Sequence, residues 1–300
     1  MRRGLLGLVL ILGACSPRQG MLIAHLSRGA VGLDAIQDSF AARNPGYALR
    51  WETGTRILPA AATTRVAFIQ AGETVGHVGE LSSDVTVADV VLLRPGDELR
   101  TDGEVDALVF TVPGLAPAGL PTFLRPDWDP GITDVVGGCA TEEGAYRRLI
   151  LTWDRDHGPY VFHGLNTHRV RIMDSFSHYH PRDGGFDEFY LVQMVQPRAR
   201  ILTSDRTSRI ESPESIAPEE TGTLLRETRL AVGDLVYLPA GVVHRGLDGV
   251  LAQVIAVPGF RPGTEIGVDH HLRRINELLD LRGDGALPFH APAAEGAVIK

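Results

Sequence analysis

The sequence predicts an all-β fold made of two series of short strands and closed by one short helix. Three observations carry this reading. From Tyr47 onward, apolar-rich runs of strand length recur, each bounded by Gly, Pro, Asp or Ser. Gly 34 and Pro 19 are frequent among the 300 residues, which suits tight turns. Long helical periodicities are rare. A chain of this length buries ample surface for one large or two moderate domains.

The opening "MRRGLLGLVLILGACSPRQG" pairs Arg2 and Arg3 with an apolar stretch from Leu5 to Leu12. That stretch is too short to span a bilayer and fits a secretory signal. "LGAC" ending at Cys15 resembles a bacterial lipobox, which implies lipidation at Cys15 and a chain anchored in the bacterial cell envelope. With Met21 as the start, the protein would instead be cytoplasmic. Cys139 is the only other cysteine, so a mature chain with a lipidated Cys15 has no intramolecular disulfide and no CxxC-type metal site.

Residues 32–43, "GLDAIQDSFAAR", read as a short helix closed by the turn signal "NPG". The first strand series follows with "ALRWE", "TTRVAFIQ", "VTVADVVLL" and "VDALVFTV". Residues 115–131 are proline-rich and without periodicity, and they serve as the linker. The second series runs from "YRRLILTW" to "LAQVIAV" and includes "HRVRIMD", "EFYLVQMV" and "DLVYLP". Between its motifs, residues 203–222 are polar and read as a lid or surface excursion. "GVDHHLRRINELLDLRG" sets Val268, Leu272, Ile275, Leu278 and Leu279 at helical spacing, and the last ten residues read as a loose tail. The boundaries are a signal and tether over 1–20, a first β unit over 21–125, a second over 126–262, and the helix with its tail over 263–300. The closing segments of the two series, "VADVVLLRPGDELRTDGEVDALVFTVPG" and "AVGDLVYLPAGVVHRGLDGVLAQVIAVPG", share an order of elements that marks an internal duplication.

A formal charge of −8 and a pI near 5.8 argue against a nucleic-acid partner, which needs a basic face. The chemistry concentrates in two motifs. "GDLVYLPAGVVH" places Gly233, Pro239, Gly241 and His244 in the pattern G-x5-P-x-G-x2-H. "SHYHPRDGGFDEFYLV" places His178 and His180 two apart, then a tight loop, then Glu188. Alternate strand residues share a face, so both histidines point the same way, about 6–7 Å apart, with Tyr179 opposed. Three imidazoles and a carboxylate suit Fe, Mn, Ni, Cu or Zn and leave coordination positions open.

The Gly233–His244 segment matches in full the second motif of the cupin family, and the His178–Glu188 segment resembles the first. The resemblance implies two cupin-type jelly-roll barrels over about residues 45–260, with metal ligands His178, His180, Glu188 and His244 in the second. The first motif departs from the pattern. Seven residues separate His180 from Glu188, and Ile172 and Val195 stand where glycines are usual, so Asp183 and Asp187 compete for the carboxylate role. In the first barrel Leu99 or Arg100 occupies the histidine position, which makes that barrel degenerate and structural, and His77 is a strand or turn residue. His157, His163, His168, His270 and His271 are read as core or surface residues. Met173, Tyr190, Tyr237 and Arg171 are pocket candidates.

The resemblance implies one divalent transition metal, no other cofactor, and a small organic substrate turned over in a dioxygenase-like oxidation. The catalytic residues stay open. The alternatives are a metal-dependent isomerase or decarboxylase, or a module that binds metal or ligand without turnover. A homodimer is one open arrangement, and membrane contact would come only through the lipid anchor. Metal loading outside the cytosol favours Zn and Cu over Mn and Fe(II), so iron chemistry and a lipobox oppose one another.

Overall fold

Two antiparallel sheets carry the chain in the computed structural model, which describes residues 20–135, 137 and 145–300. The signal segment, Cys15 and Cys139 lie outside the described residues. In the first sheet the hydrogen-bonded order is Leu81–Val85, Thr74–Val78, Leu99–Val112, Thr64–Ala71, Val90–Leu93 and Phe123–Leu124. Ala48–Leu58 pairs with the other side of Leu99–Val112. Phe123–Leu124 falls within the proline-rich stretch and extends this sheet against Val90–Val91. Strand alternation divides the side chains cleanly. Ala67, Ile69, Val91, Leu93, Leu99, Ala107 and Val109 form one dry cluster, the interior of the first barrel. Val66, Phe68, Leu108 and Phe110 face away and meet Phe189, Leu191, Tyr237 and Ile255 of the second sheet.

Val243–Val257 organises the second sheet. Along its length it pairs with Asn166–Asp174, Asp187–Val195 and Arg200–Ser204, and at His244 with His178. Asp234–Leu238 flanks Asp187–Val195 and is itself paired with Leu22–His25. The earliest described strand therefore belongs to the later sheet. Leu33–Arg43 is the helix expected near the start, and it is wedged between the barrels. Phe40 meets Phe110 and Phe189 edge-on at 5.8 and 5.1 Å between ring centroids. Such pairs add about 0.5–1.5 kcal/mol each beyond area burial.

Residues 203–222 run largely over the surface, anchored where Ile210 and Ile216 pack with Leu224, Leu272 and Ile275 beneath the terminal helix Asp269–Leu278. The final residues differ from expectation, because they are not a loose tail. Gly267 donates its backbone N–H to Val298 at 2.8 Å, and Glu265 and Lys300 exchange backbone hydrogen bonds at 3.0 and 3.1 Å. Ile299 forms an isolated antiparallel bridge with Ile266. Of the terminal apolar stripe, Val268, Leu272 and Ile275 are buried while Leu278 is 40% exposed. Leu279, not Leu278, continues their 3.6-residue spacing.

Candidate metal centre

The two motifs come together where the short strand His178–Tyr179 runs beside the start of Val243–Val257, with His178 opposite His244. Opposed residues in an antiparallel pair share a face, so both imidazoles enter the second barrel. Glu188 is the second residue of Asp187–Val195 and lies on the same inner face as Tyr190 and Val192, whereas Phe189 and Leu191 face the first barrel. The second motif owes its glycines to the backbone. Gly241 has φ +96° and donates its N–H to the carbonyl of His180 at 2.7 Å, so the Pro-Ala-Gly turn is tied directly to the first motif. A Cβ at Gly241 would also stand 2.7 Å from Arg182 Nε.

The structure thus brings together His178, His180, Glu188 and His244, all buried, with one donor atom from each inside a 4.8 Å sphere of mutual distances. His244 Nε2 is 2.9 Å from Glu188 Oε2, and His180 Nε2 is 3.8 Å from it. Metal–ligand bonds of about 2.0–2.2 Å put ligand atoms about 2.8–4.4 Å from one another, and both of these distances fall in that range. Among the described residues, the three Nε2 atoms and Glu188 Oε2 are buried without a hydrogen-bond partner. Four converging orphans are costly unless something satisfies them, and a cation does so. The opposite ring nitrogens are engaged: His178 Nδ1 donates to the carbonyl of Phe176, and His244 Nδ1 to that of Val242, each at 3.1 Å. Those bonds set the tautomer that directs an Nε2 lone pair into the cluster.

The surroundings favour neutral imidazoles. Burial holds His178 well below the usual histidine range, and the neighbouring His244 acts in the same direction. Burial, then His244 and His178, does the same for His180. Phe176 stacks on His178 at 4.4 Å and Phe186 on His180 at 3.8 Å, which fixes both rings. Glu265 is also buried; burial first, then the Glu188 carboxylate, pushes it up to about 7.

The rival carboxylates are placed elsewhere. Asp183 is exposed on the loop. Asp187 faces out of the barrel, where it accepts from Arg43 Nη2 at 2.8 Å, Asn44 Nδ2 at 2.8 Å, Tyr237 Oη at 2.6 Å and the Ala240 N–H at 2.8 Å. It therefore joins the helix Leu33–Arg43, the Glu188 strand and the Pro-Ala-Gly turn at one point. The hydrogen bond from Arg43 to Asp187 raises the Arg43 pKa, and burial with Asp187 raises that of Tyr237, so both stay donors.

Among the pocket candidates, Tyr190 lies beside the cluster, its ring edge-on to His244 at 6.2 Å. Arg171 does not: between the inward Val170 and Ile172 it must face out, and it is exposed. Tyr237 does not either, because its register partner Phe189 turns it into the inter-barrel core. Met173 is half-buried at an irregularity between Ile172 and Asp174. Sequence reasoning missed Phe176 and Glu265. The spacing of Phe176, two before His178, was the available signal; Glu265 had none.

No protein-family model matches the chain, and no curated protein matches it. Several solved structures resemble it distantly, each with a TM-score below 0.5. A mutant of the oxalate decarboxylase of Bacillus subtilis is 12% identical, with 86% of this chain and 78% of that chain covered and a TM-score of 0.46. Salicylate 1,2-dioxygenase of Pseudoaminobacter salicylatoxidans, as a mutant, is 12% identical over 72% of this chain and 71% of its own, at 0.45. AerE of Microcystis aeruginosa is 8% identical over 70% and 86%, also at 0.45. The chain has two barrel-like antiparallel sheets, with the Gly233–His244 motif and the His/Glu cluster together in the second, and this arrangement resembles a two-barrel cupin.

Proposed function

We propose that the second barrel binds one divalent transition metal through His178, His180, Glu188 and His244, and that the protein is a metal-dependent oxidoreductase, dioxygenase-like, acting on a small organic substrate. The observation that carries this reading is the convergence of four buried donor atoms without hydrogen-bond partners among the described residues. Three neutral imidazoles and one carboxylate leave positions open on an ion that prefers five or six ligands. Such an ion supplies Lewis acidity and a place for substrate oxygens. The protein's own part is to hold the rings with Phe176 and Phe186, to fix their tautomers through backbone carbonyls, and to exclude water with the apolar inner face around Tyr190, Val192 and Val254.

The test is metal analysis of the purified protein, followed by oxygen-consumption screening across catechols, flavonoids and organic acids. One equivalent of metal with substrate-dependent oxygen uptake is expected. Stoichiometric metal with no oxygen uptake and with slow substrate isomerisation or decarboxylation would move the reading to the other cupin chemistries. Lipid anchorage at Cys15 belongs to the same proposal, and mass spectrometry of the N-terminal peptide from the full-length gene tests it.

A further inference from the structure

Glu265 belongs to neither motif, yet the fold delivers it to the metal site. The pair Ile266–Gly267 runs antiparallel to His178–Tyr179, with Gly267 opposite His178 and Ile266 opposite Tyr179. One further step in that register sets Glu265 opposite His180, on the face that carries both histidines. On its other edge, Glu265 is held in extended form by two backbone hydrogen bonds with Lys300, and Ile266 is bridged to Ile299. The side chain is about nine-tenths buried, and the charges acting on it are the Glu188 carboxylate, the Arg147 and Lys300 cations, and His244. Among the described residues no hydrogen bond or ion pair engages its carboxylate. A largely buried carboxylate near a second carboxylate, held by the field of Arg147 and Lys300 but hydrogen-bonded to neither among the described residues, contributes little to the fold. Such placements mark sites that receive a ligand.

We propose that Glu265 is a substrate-orienting residue of the second barrel, accepting a hydrogen bond from an O–H or N–H group of a small molecule seated over the His/Glu cluster. This rests on the metal-binding reading above and sharpens it. The favoured substrates carry a hydrogen-bond donor next to their metal-seeking oxygen, as hydroxy acids, catechols and hydroxamates do. Molecules with acceptors alone gain nothing from Glu265.

The experiment uses the full chain loaded with Co(II), whose visible absorption reports ligands entering the site. Two probes are titrated: acetohydroxamic acid, which brings O–H and N–H donors, and azide, which brings none. In Glu265→Gln, Co(II) uptake should stay at the wild-type level and acetohydroxamic acid should bind about tenfold more weakly, the difference between a charged and a neutral acceptor. Azide should bind equally well or more tightly, because a negative charge has gone. A residue acting only through its charge would shift both probes in one direction, and that outcome overturns the proposal, as do unchanged affinities. Glu265→Asp keeps the charge and should retain more of the acetohydroxamic acid affinity than the Gln variant; an Asp variant no better than Gln also counts against it. Failure of the wild-type chain to take up Co(II) overturns the metal reading itself, whereas uptake with equal probe behaviour overturns only the role of Glu265.

Discussion

The two barrels use one architecture for opposite interiors. In the first, the inner positions of the long strand Leu99–Val112 include Leu99, Val105, Ala107 and Val109, which close over Ala67, Ile69, Val91 and Leu93. In the second, the equivalent long strand Val243–Val257 begins by presenting His244 to His178, His180 and Glu188. The first interior gains from dispersion and dehydration, as any core does. The second carries buried donor atoms that are satisfied only by something brought in. One barrel is built for stability, and the other gives up stability to hold a site.

That contrast can be broken most directly at the ligands. His178→Ala or His244→Ala should reduce metal from one equivalent per chain to almost none, by elemental analysis after dialysis. The affinity loss should exceed the 10–100-fold typical of groups that merely orient a ligand. Two tightly held equivalents in the wild type would end the distinction between the barrels.

A second pair of variants sharpens the contrast in stability. Leu99→Ala removes a buried side chain from the dry interior and should cost about 2–5 kcal/mol in denaturant unfolding, with metal content unchanged. His178→Leu should do the reverse, abolishing metal binding while leaving the metal-free protein as stable as before or more so.

The effect of pH comes next. Burial lowers the pKa of His178 and His180 and also of His168, where Arg147 adds to it. With the folded pKa below the unfolded one, the unfolded chain holds more protons between the two values, so stability rises with pH across that interval. The contribution is complete above about pH 6.5, the ordinary histidine value, and is lost as pH falls from there toward the folded values. Glu265 and Asp89, which burial raises to about 7 and about 6, act in the opposite direction over the same window, so the histidine part is read as a difference: between about pH 7 and pH 5 the stability of metal-free wild type should fall relative to that of a His178→Leu, His180→Leu double variant in thermal unfolding.

The smallest effect belongs to Asp183. Because it is exposed on the loop, Asp183→Ala should leave metal content intact and change stability by less than about 0.5 kcal/mol, whereas Glu188→Ala loses metal. Metal loss in the Asp183 variant alone would reassign the carboxylate.

How much of this was legible depends on whether a residue's role is local. The Gly233–His244 motif was readable because its glycines answer to backbone needs that any sequence must meet the same way: Gly233 and Gly241 both have positive φ. His178 and His180 followed from strand alternation. The carboxylate was ambiguous, because Asp183, Asp187 and Glu188 crowd one short stretch of sequence. What separates them is Asp187's set of donors, two of which, Arg43 and Asn44, lie more than 140 residues away in sequence. Arg171 and Tyr237 were assigned to the wrong face for the same reason, since facing is decided by register with a distant partner. Glu265 and the ordered final residues depend on pairings between short segments that carry almost no pattern of their own.

The strand Leu22–His25 has a consequence for how the molecule responds to force. Its partner Asp234–Leu238 lies more than two hundred residues further along the chain, so the first barrel is enclosed within the connectivity of the second. Closing so long a loop comes late in folding, because its entropy must be overcome before the contact contributes. Tension applied at residue 20 would then load the metal barrel before the first barrel, although the first barrel is nearer in sequence. Only four residues, Leu22 to His25, pair in that edge. In a pulling experiment that grips residue 20, the pairing of Leu22–His25 with Asp234–Leu238 should be the first to part.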